Sequence, residues 1–394
     1  MLEIGRTGQL YVVAEGTYAT HPTHASADAV RHINFKPTLD PKNKRHSAEK
    51  KSTPGRAVRF DGRVSAAWDL SALLRPSGTL NTLPEASEIL EAAFGTKQNI
   101  TLSTTVNAGT GAVGGATLGS TTGLLVGQGV LITCPDGKKR VRRILTLPGA
   151  NVVTWAPNLP AGQQPADAAA VKGLITYRLS TALALSLSIS HYLKKTDAST
   201  AGMKRGILGG VVDKFVLTFD ANGEAQFQAS GPAANMTTGT TPAQPGAFTT
   251  VGGNPPSGFS LSELAIGNTT TVKWKKVMFD MSNSMKLRND EGGSGITGIA
   301  TEAYRVGYRD VAVGLDMHVE DETLVYDAAE AGTNVALMLQ HGFTEGMIHA
   351  LSLPQVEFKV PDQDDTDDEH QWGFKGMALE SADGQNDEAF LYIA

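Results

Sequence analysis

Gly109, Gly111 and Gly114 carry the G-x-G-x-x-G spacing that lets a backbone close on a pyrophosphate, and a strand-like stretch from Ile100 to Val106 precedes them. That chemistry also needs a following helix whose N-terminus faces the phosphate. Gly115, Gly119, Gly123 and a cluster of threonines follow instead, so the spacing reads as a Gly-rich β-turn. Gly137-Lys138 is not a phosphate loop, because Lys139 replaces the Ser or Thr and Ile132 stands where the first glycine belongs. His21 and His24 have no Cys or carboxylate cluster beside them and read as a solvated loop rather than a metal pair. His341 and His349 read as strand or turn residues. The run Asp362, Asp364, Asp365, Asp367, Asp368, Glu369 offers oxygen ligands, but a calcium loop wants glycine at its sixth position, where Asp367 stands. It reads as a solvated acidic hairpin tip. The sequence has no G-x-S-x-G elbow, no H-E-x-x-H and no Cys-His pairing, so neither catalysis, a cofactor nor a metal is expected.

Charge is the chemistry that remains. From Lys36 to Arg63, nine basic residues (Lys36, Lys42, Lys44, Arg45, Lys50, Lys51, Arg56, Arg59, Arg63) face three acidic ones, a balance of +6. From Glu357 to Glu388, eleven carboxylates face Lys359 and Lys375, a balance of -9. Such patches read either as two solvated loops or, more sharply, as the two halves of a head-to-tail contact between copies, which propagates when it does not close.

The elements that hold these patches read as strands. The chain has 394 residues, 43 of them glycine, with one cysteine, 19% charged residues and a net charge of -6. Balanced charge argues against a dedicated nucleic-acid binder. Cys134 cannot form an intramolecular disulfide. The N-terminus shows no signal-peptide pattern, and no apolar run approaches the roughly 20 residues that span a bilayer. Period-two alternation marks a long strand at 57–70 (Val58, Phe60, Val64, Ala66, Trp68, Leu70), then strands through Ile175 to Ile189 and Phe215 to Phe219. Further strands are marked through Val311 to Val319, Val356 to Val360, Trp372 to Phe374 and Phe390 to Tyr392. The parity slips after Trp274, predicting a β-bulge near Lys275 and Lys276. Thr82 as N-cap, Pro84, Glu85 at the capping-box position and Gly95 as the stop predict one helix, and a second is predicted over Leu324 to Glu330 before Gly332.

A long strand followed by a short helix occurs at 58–95 and again at 311–332, which hints at an internal duplication. Residues 97–174 read as a small inserted β module. Residues 230–260, rich in Gly, Pro, Ser and Thr and without charge, read as a flexible arm. The polar excursion 40–56 is longer than a hairpin turn needs and reads as disordered or used for contact.

This layout resembles the major tail tube proteins of long-tailed bacteriophages. The resemblance rests on Gly8-Gln-Leu-Tyr-Val-Val-Ala-Glu-Gly-Thr17, the basic excursion, the strand 57–70 entering Leu-Ser-Ala-Leu-Leu-Arg-Pro-Ser-Gly78, and the helix from Pro84 to Gly95. It extends to Leu185-Ser-Leu-Ser-Ile189, Gly209-Gly-Val-Val-Asp-Lys-Phe-Val-Leu-Thr-Phe219 and the strands after Gly342. It implies a mainly β, tail-tube-type β-sandwich with short flanking helices, and with it a duplication hinted at by the two strand-helix units. On that reading residues 1–96 begin the tube domain, 97–174 are the insert, and 175–394 hold the remaining strands and a second tube-like unit. The resemblance further implies rings of three or six chains, stacked head to tail, with other tail proteins at the ends and genomic DNA passing through without specific binding.

The residues that would reach the next ring are Lys42, Lys44, Arg45, Lys50, Lys51 and Arg56. Asp362, Asp364, Asp365, Asp367, Asp368 and Glu369 would line the lumen or receive that loop. The implied site of action is the virion tail, assembled in the host cytoplasm without membrane insertion. The competing expectation is a β-rich virion adhesin or baseplate component that grips a host carbohydrate or protein.

Overall fold

The computed structural model describes residues 8–40, 45–46, 59–60, 64–181, 185–194, 201–221, 223–239, 245, 252–256, 262–270, 272–288, 302–318, 323–361 and 371–394. The chain opens with β1 (Gln9–Ala14), β2 (Ala29–Val30), β3 (Asn34–Asp40), β4 (Arg45–His46), β5 (Arg59–Phe60) and β6 (Ser65–Leu73), followed by α1 (Ser87–Phe94). Alternation on β6 buries Ala66, Trp68, Leu70 and Ala72. The expected strand 57–70 is divided, because Arg59 and Phe60 pair with β4 while β6 pairs along its length with β3.

Helix α1 begins three residues after Pro84, and the N-cap reading of Thr82 fails for a visible reason. The Glu85 carboxylate accepts from the backbone N–H and guanidinium of Arg31 instead of closing a capping box. Gly95, at φ 100°, ends the helix as the spacing predicts.

Residues 95–179 form β7 (Gly95–Asn99), β8 (Ser103–Thr105), β9 (Gly115–Thr117), β10 (Gly129–Thr133), β11 (Lys139–Gly149), β12 (Val152–Ala156), β13 (Ala170–Gly173) and β14 (Ile175–Leu179). Six of these make a separate sheet in the order β8-β13-β10-β11-β12-β9, around Val130, Ile132, Ile144, Val153 and Trp155. Strand β9, not a helix, follows the Gly109 to Gly114 turn. Strands β7 and β14 pair with each other and tie this sheet to the rest.

The chain continues through β15 (Leu187–Lys194), β16 (Ala201–Gly210), β17 (Lys214–Asp220), β18 (Gln226–Ala233) and β19 (Asn235–Gly239). It then forms β20 (Ser262–Ile266), β21 (Trp274–Ser282), β22 (Met285–Leu287), β23 (Ala303–Arg305), β24 (Asp310–His318), α2 (Thr323–Glu330), β25 (Val335–His341), β26 (His349–Lys359), β27 (Gln371–Ala378) and β28 (Phe390–Ile393). The predicted bulge falls between Trp274 and Lys276.

Two layers recur along this path. One layer holds β3-β6-β18-β17 and, beside it, β21-β24-β27-β26; the other holds β19-β16-β15-β1 and β28-β26-β25-β20. In the second half β26 does with one strand what β16 and β17 do with two: it pairs with β25 and β28 along its start and with β27 along its end. Strands β17 and β21 pair from Lys214 opposite Ser282 to Asp220 opposite Lys276, fusing the two ribbons into one eight-stranded antiparallel surface. Helix α1 fills the space behind this junction, with the Phe94 ring 5.9 Å from that of Phe215 and 6.0 Å from that of Phe279.

The arm expected at 230–260 is corrected at its start, where residues 230–233 end β18 and residues 235–239 form β19. Small residues stand here for close packing rather than for turning: a Cβ on Gly231 would lie 2.0 Å from the Val211 carbonyl oxygen. Gly231→Ala is expected to cost about 1–3 kcal/mol through overpacking, read as a lower urea midpoint. An unchanged midpoint would show that the two backbones have room to part.

Candidate assembly interface

The registers fix what lies at each end of the eight-stranded surface. Asp40 faces Ser65 and Ser282 faces Asp310 at one end. Leu73 faces Gln226, Asp220 faces Lys276 and Gln371 faces His318 at the other. The connection from β3 to β6 is therefore tethered at the first end and the connection from β26 to β27 at the second. Of the basic residues singled out above, Arg45 lies on β4, opposite Phe60. Lys42, Lys44, Lys50, Lys51 and Arg56, and the whole run Asp362, Asp364, Asp365, Asp367, Asp368, Glu369, lie outside the described residues. The connection from β21 to β24 shares the first end, and exposes Tyr304, Val306 and Tyr308 around β23.

One face of the surface looks onto the core and the other onto solvent. The solvent face mixes signs along and across its strands, with Lys36, Asp69, Lys214, Asp280, Lys276, Asp316, Lys375 and Glu357. Lys214 Nζ stands 3.1 Å from Asp280 Oδ2, and Gln228 Nε2 donates to Asp69 Oδ2 at 2.8 Å. These pairs leave no contiguous basic strip among the described residues.

The two edges are unpaired. Strand β3 pairs only with β6, and past Val356 β26 pairs only with β27 among the described residues. Each edge carries an apolar side chain with inward parity that is exposed nonetheless, Leu39 at 40% and Val360 at 47%. Alternation places Val360 on a strand but does not mark Leu39, and only the strand order reveals that both stand on a rim.

The inserted sheet is seated on the second half through side chains that sequence patterns did not single out. Leu131 and Val141 pack with Ala265, Met338, Ala350, Phe390 and Tyr392. On β20, β25, β26 and β28 these residues have the parity opposite to the core residues Leu264, Leu339, Leu351 and Leu391, so the insert covers the outer side of that layer. Gln340 accepts from Val141 N–H at 2.7 Å and donates to the Lys139 carbonyl at 2.8 Å, pairing with β11 as a strand would.

Glu263 receives Arg140 Nε at 2.8 Å and Arg142 Nη2 at 2.5 Å, and Asp136 holds the other side of Arg140. Burial pulls the Arg142 guanidinium below its ordinary pKa against the opposing pull of Glu263. The two hydrogen bonds from Arg140 hold Asp136 below the usual carboxylate range. Outside this cluster Glu345 binds Lys139 and Lys172.

The histidine reading needs a correction. His24 is buried rather than solvated: segment 15–30 folds it onto β15, where Nε2 meets Ser190 Oγ at 2.9 Å. Burial, with help from His21 and Lys204, pushes its pKa down to about 4. No group of three His, Cys, Asp or Glu able to hold a metal occurs among the described residues.

Stacked antiparallel layers, with sheet edges unpaired among the described residues, define a β-sandwich. The family model of the phage tail tube protein matches residues 5–376, and the chain belongs to that family. No curated protein matches the chain. Membership makes it a structural component of the phage tail that works in an oligomeric assembly with other tail proteins. No helix among the described residues is long and apolar enough to cross a membrane.

Proposed function

We propose that the chain forms closed rings that stack head to tail into the tail tube, the conduit for genomic DNA, and that it does so without catalysis. The observation that carries this reading is the eight-stranded surface made of two like ribbons with a free edge on each side. Copies joined edge to edge continue that surface, and three chains supply six ribbons for one ring. The strand ends then face the rings above and below. The basic connection carrying Lys42, Lys44, Arg45, Lys50, Lys51 and Arg56 departs from one end, and the one carrying Asp362, Asp364, Asp365, Asp367, Asp368 and Glu369 from the other. Stacking brings opposite charge together in a contact that never closes on itself.

The solvent face of mixed sign becomes the lumen wall. Its lysines are interspersed with carboxylates, so it gives phosphates no continuous track to grip and lets DNA pass. The insert, seated on the outer layer, projects from the outside of the tube.

Reversing Lys44, Arg45, Lys50 and Lys51 to glutamate together is expected to leave single rings and abolish tubes, as seen by negative-stain microscopy. Normal tubes in that variant would overturn the stacking assignment, and isolated compact subunits of the unmodified protein at every concentration would overturn the function.

A further inference from the structure

The junction inside the chain is a template for the junction between chains. Trp68 on β6 lies opposite Gly231 on one side and Pro37 on the other, while Val313 on β24 lies opposite Gly376 and Phe279. Matching these two rows makes Leu39 the counterpart of Met281 and Ala229 the counterpart of Phe374. Phe215 lies opposite Ala229. Phe358 lies opposite Gly376 and Lys359 opposite Lys375, and one step further in that register Val360 meets Phe374. Val360 is thus the counterpart of Phe215. Phe215 and Met281 face each other across β17 and β21, and both are 0% exposed. Leu39 and Val360 have the same parity but no described strand beyond them, and both are open to solvent.

We propose that β3 of one protomer pairs antiparallel with the end of β26 of the next, in the register of β21 with β17, so that Leu39 is set against Val360. This rests on the ring reading above and names the contact that closes the ring; the partner is a second copy of this chain. Lys359 is the counterpart of Lys214, which lies opposite Ser282 in the internal junction. In the seam Lys359 comes opposite position 40, an aspartate. Pro37 has no N–H to donate, so the ladder centres on Leu39 rather than running the length of β3. Two apolar side chains that cost solubility in the free subunit become a buried cross-strand pair in the ring.

A Leu39→Cys/Val360→Cys double variant, assembled and treated with the thiol oxidant diamide, tests the register. The native Cys134 is buried and serves in every variant as the background. The expected products on a non-reducing gel are covalent dimers and a closed trimer that revert with reductant, with monomer alone from each single variant. Thr38→Cys with Val360→Cys places the thiols on opposite faces and is expected to cross-link at least about tenfold less, because their Cβ vectors diverge. Rings visible by negative stain without cross-links in the first double variant overturn the seam and leave the ring reading standing. Absence of rings in the unmodified protein overturns both.

Discussion

Glu263→Ala is expected to destabilise the protein by about 3–5 kcal/mol, the range for removing one partner from a buried ion pair. The Arg142 side chain is 1% exposed and Glu263 is 9% exposed, so the substitution strands a guanidinium that water cannot reach. Arg140 keeps Asp136, and that loss is smaller. Glu345→Ala is the internal comparison. Its carboxylate and its partners Lys139 and Lys172 are all about a quarter to a third exposed, and solvent screening holds its contribution to about 1 kcal/mol or less. Urea unfolding followed by tryptophan fluorescence reads both variants, and Trp155 is the one tryptophan in the inserted sheet. The Glu263 variant should loosen the seating of that sheet before the main layers melt. Equal losses for the two glutamates would mean that the Arg140–Glu263–Arg142 cluster is not the anchor.

That anchor was not legible beforehand, and the reason is physical. Glu263 lies 121 residues from Arg142 in sequence, and no periodicity links a carboxylate on one strand to an arginine on a strand of another sheet. What alternation does report is local: Ala66, Trp68, Leu70 and Ala72 on β6, and Val311, Val313, Leu315 and Met317 on β24, are buried as their parity predicts. Gly95 and Gly332, both at positive φ, end their helices where the pattern places them.

The strand-then-helix order hinted at the recurrence of the two layers, but no residue-level repeat marks it, because the counterparts differ in type. Trp68 answers to Val313 and Ala229 to Phe374, since packing constrains the summed volume of a row rather than each residue. The clearest shared residue is a glycine: a Cβ on Gly231 would meet the Val211 carbonyl, and one on Gly376 would lie 2.8 Å from the Glu357 carbonyl. Composition read the first of these glycines as part of a loop, because a glycine that turns the chain and one that lets two backbones touch look alike in sequence. Charge was legible as composition, but only the strand registers show that the basic connection from β3 to β6 and the acidic run from Asp362 to Glu369 are tethered at opposite ends of one sheet.

Acid is expected to destabilise the subunit through His349, with the loss beginning near pH 6.5. His349 and His341 face each other across β26 and β25, both are buried, and neither ring nitrogen of either one has a hydrogen-bond partner among the described residues. Burial, aided by His341, pushes the His349 pKa from 6.5 down to about 3, and burial lowers that of His341 as well. A depressed histidine is neutral in the folded chain while the unfolded chain takes up a proton. Its contribution is therefore intact above pH 6.5 and lost as pH falls from there toward 3. At about 1.4 kcal/mol per pH unit, His349 alone removes about 3 kcal/mol by pH 4.5. His24 and His191, both pushed down to about 4 chiefly by burial, act in the same direction. His349→Leu keeps similar volume and breaks no hydrogen bond. The variant should be at least as stable as the unmodified protein at pH 7.5, and its advantage should grow by about 3 kcal/mol by pH 4.5 in urea titrations. Parallel stability curves for the two proteins from pH 7.5 to 4.5 would show that His349 takes up its proton in the folded chain, and that the cross-strand pair is not the acid-sensitive point of the fold.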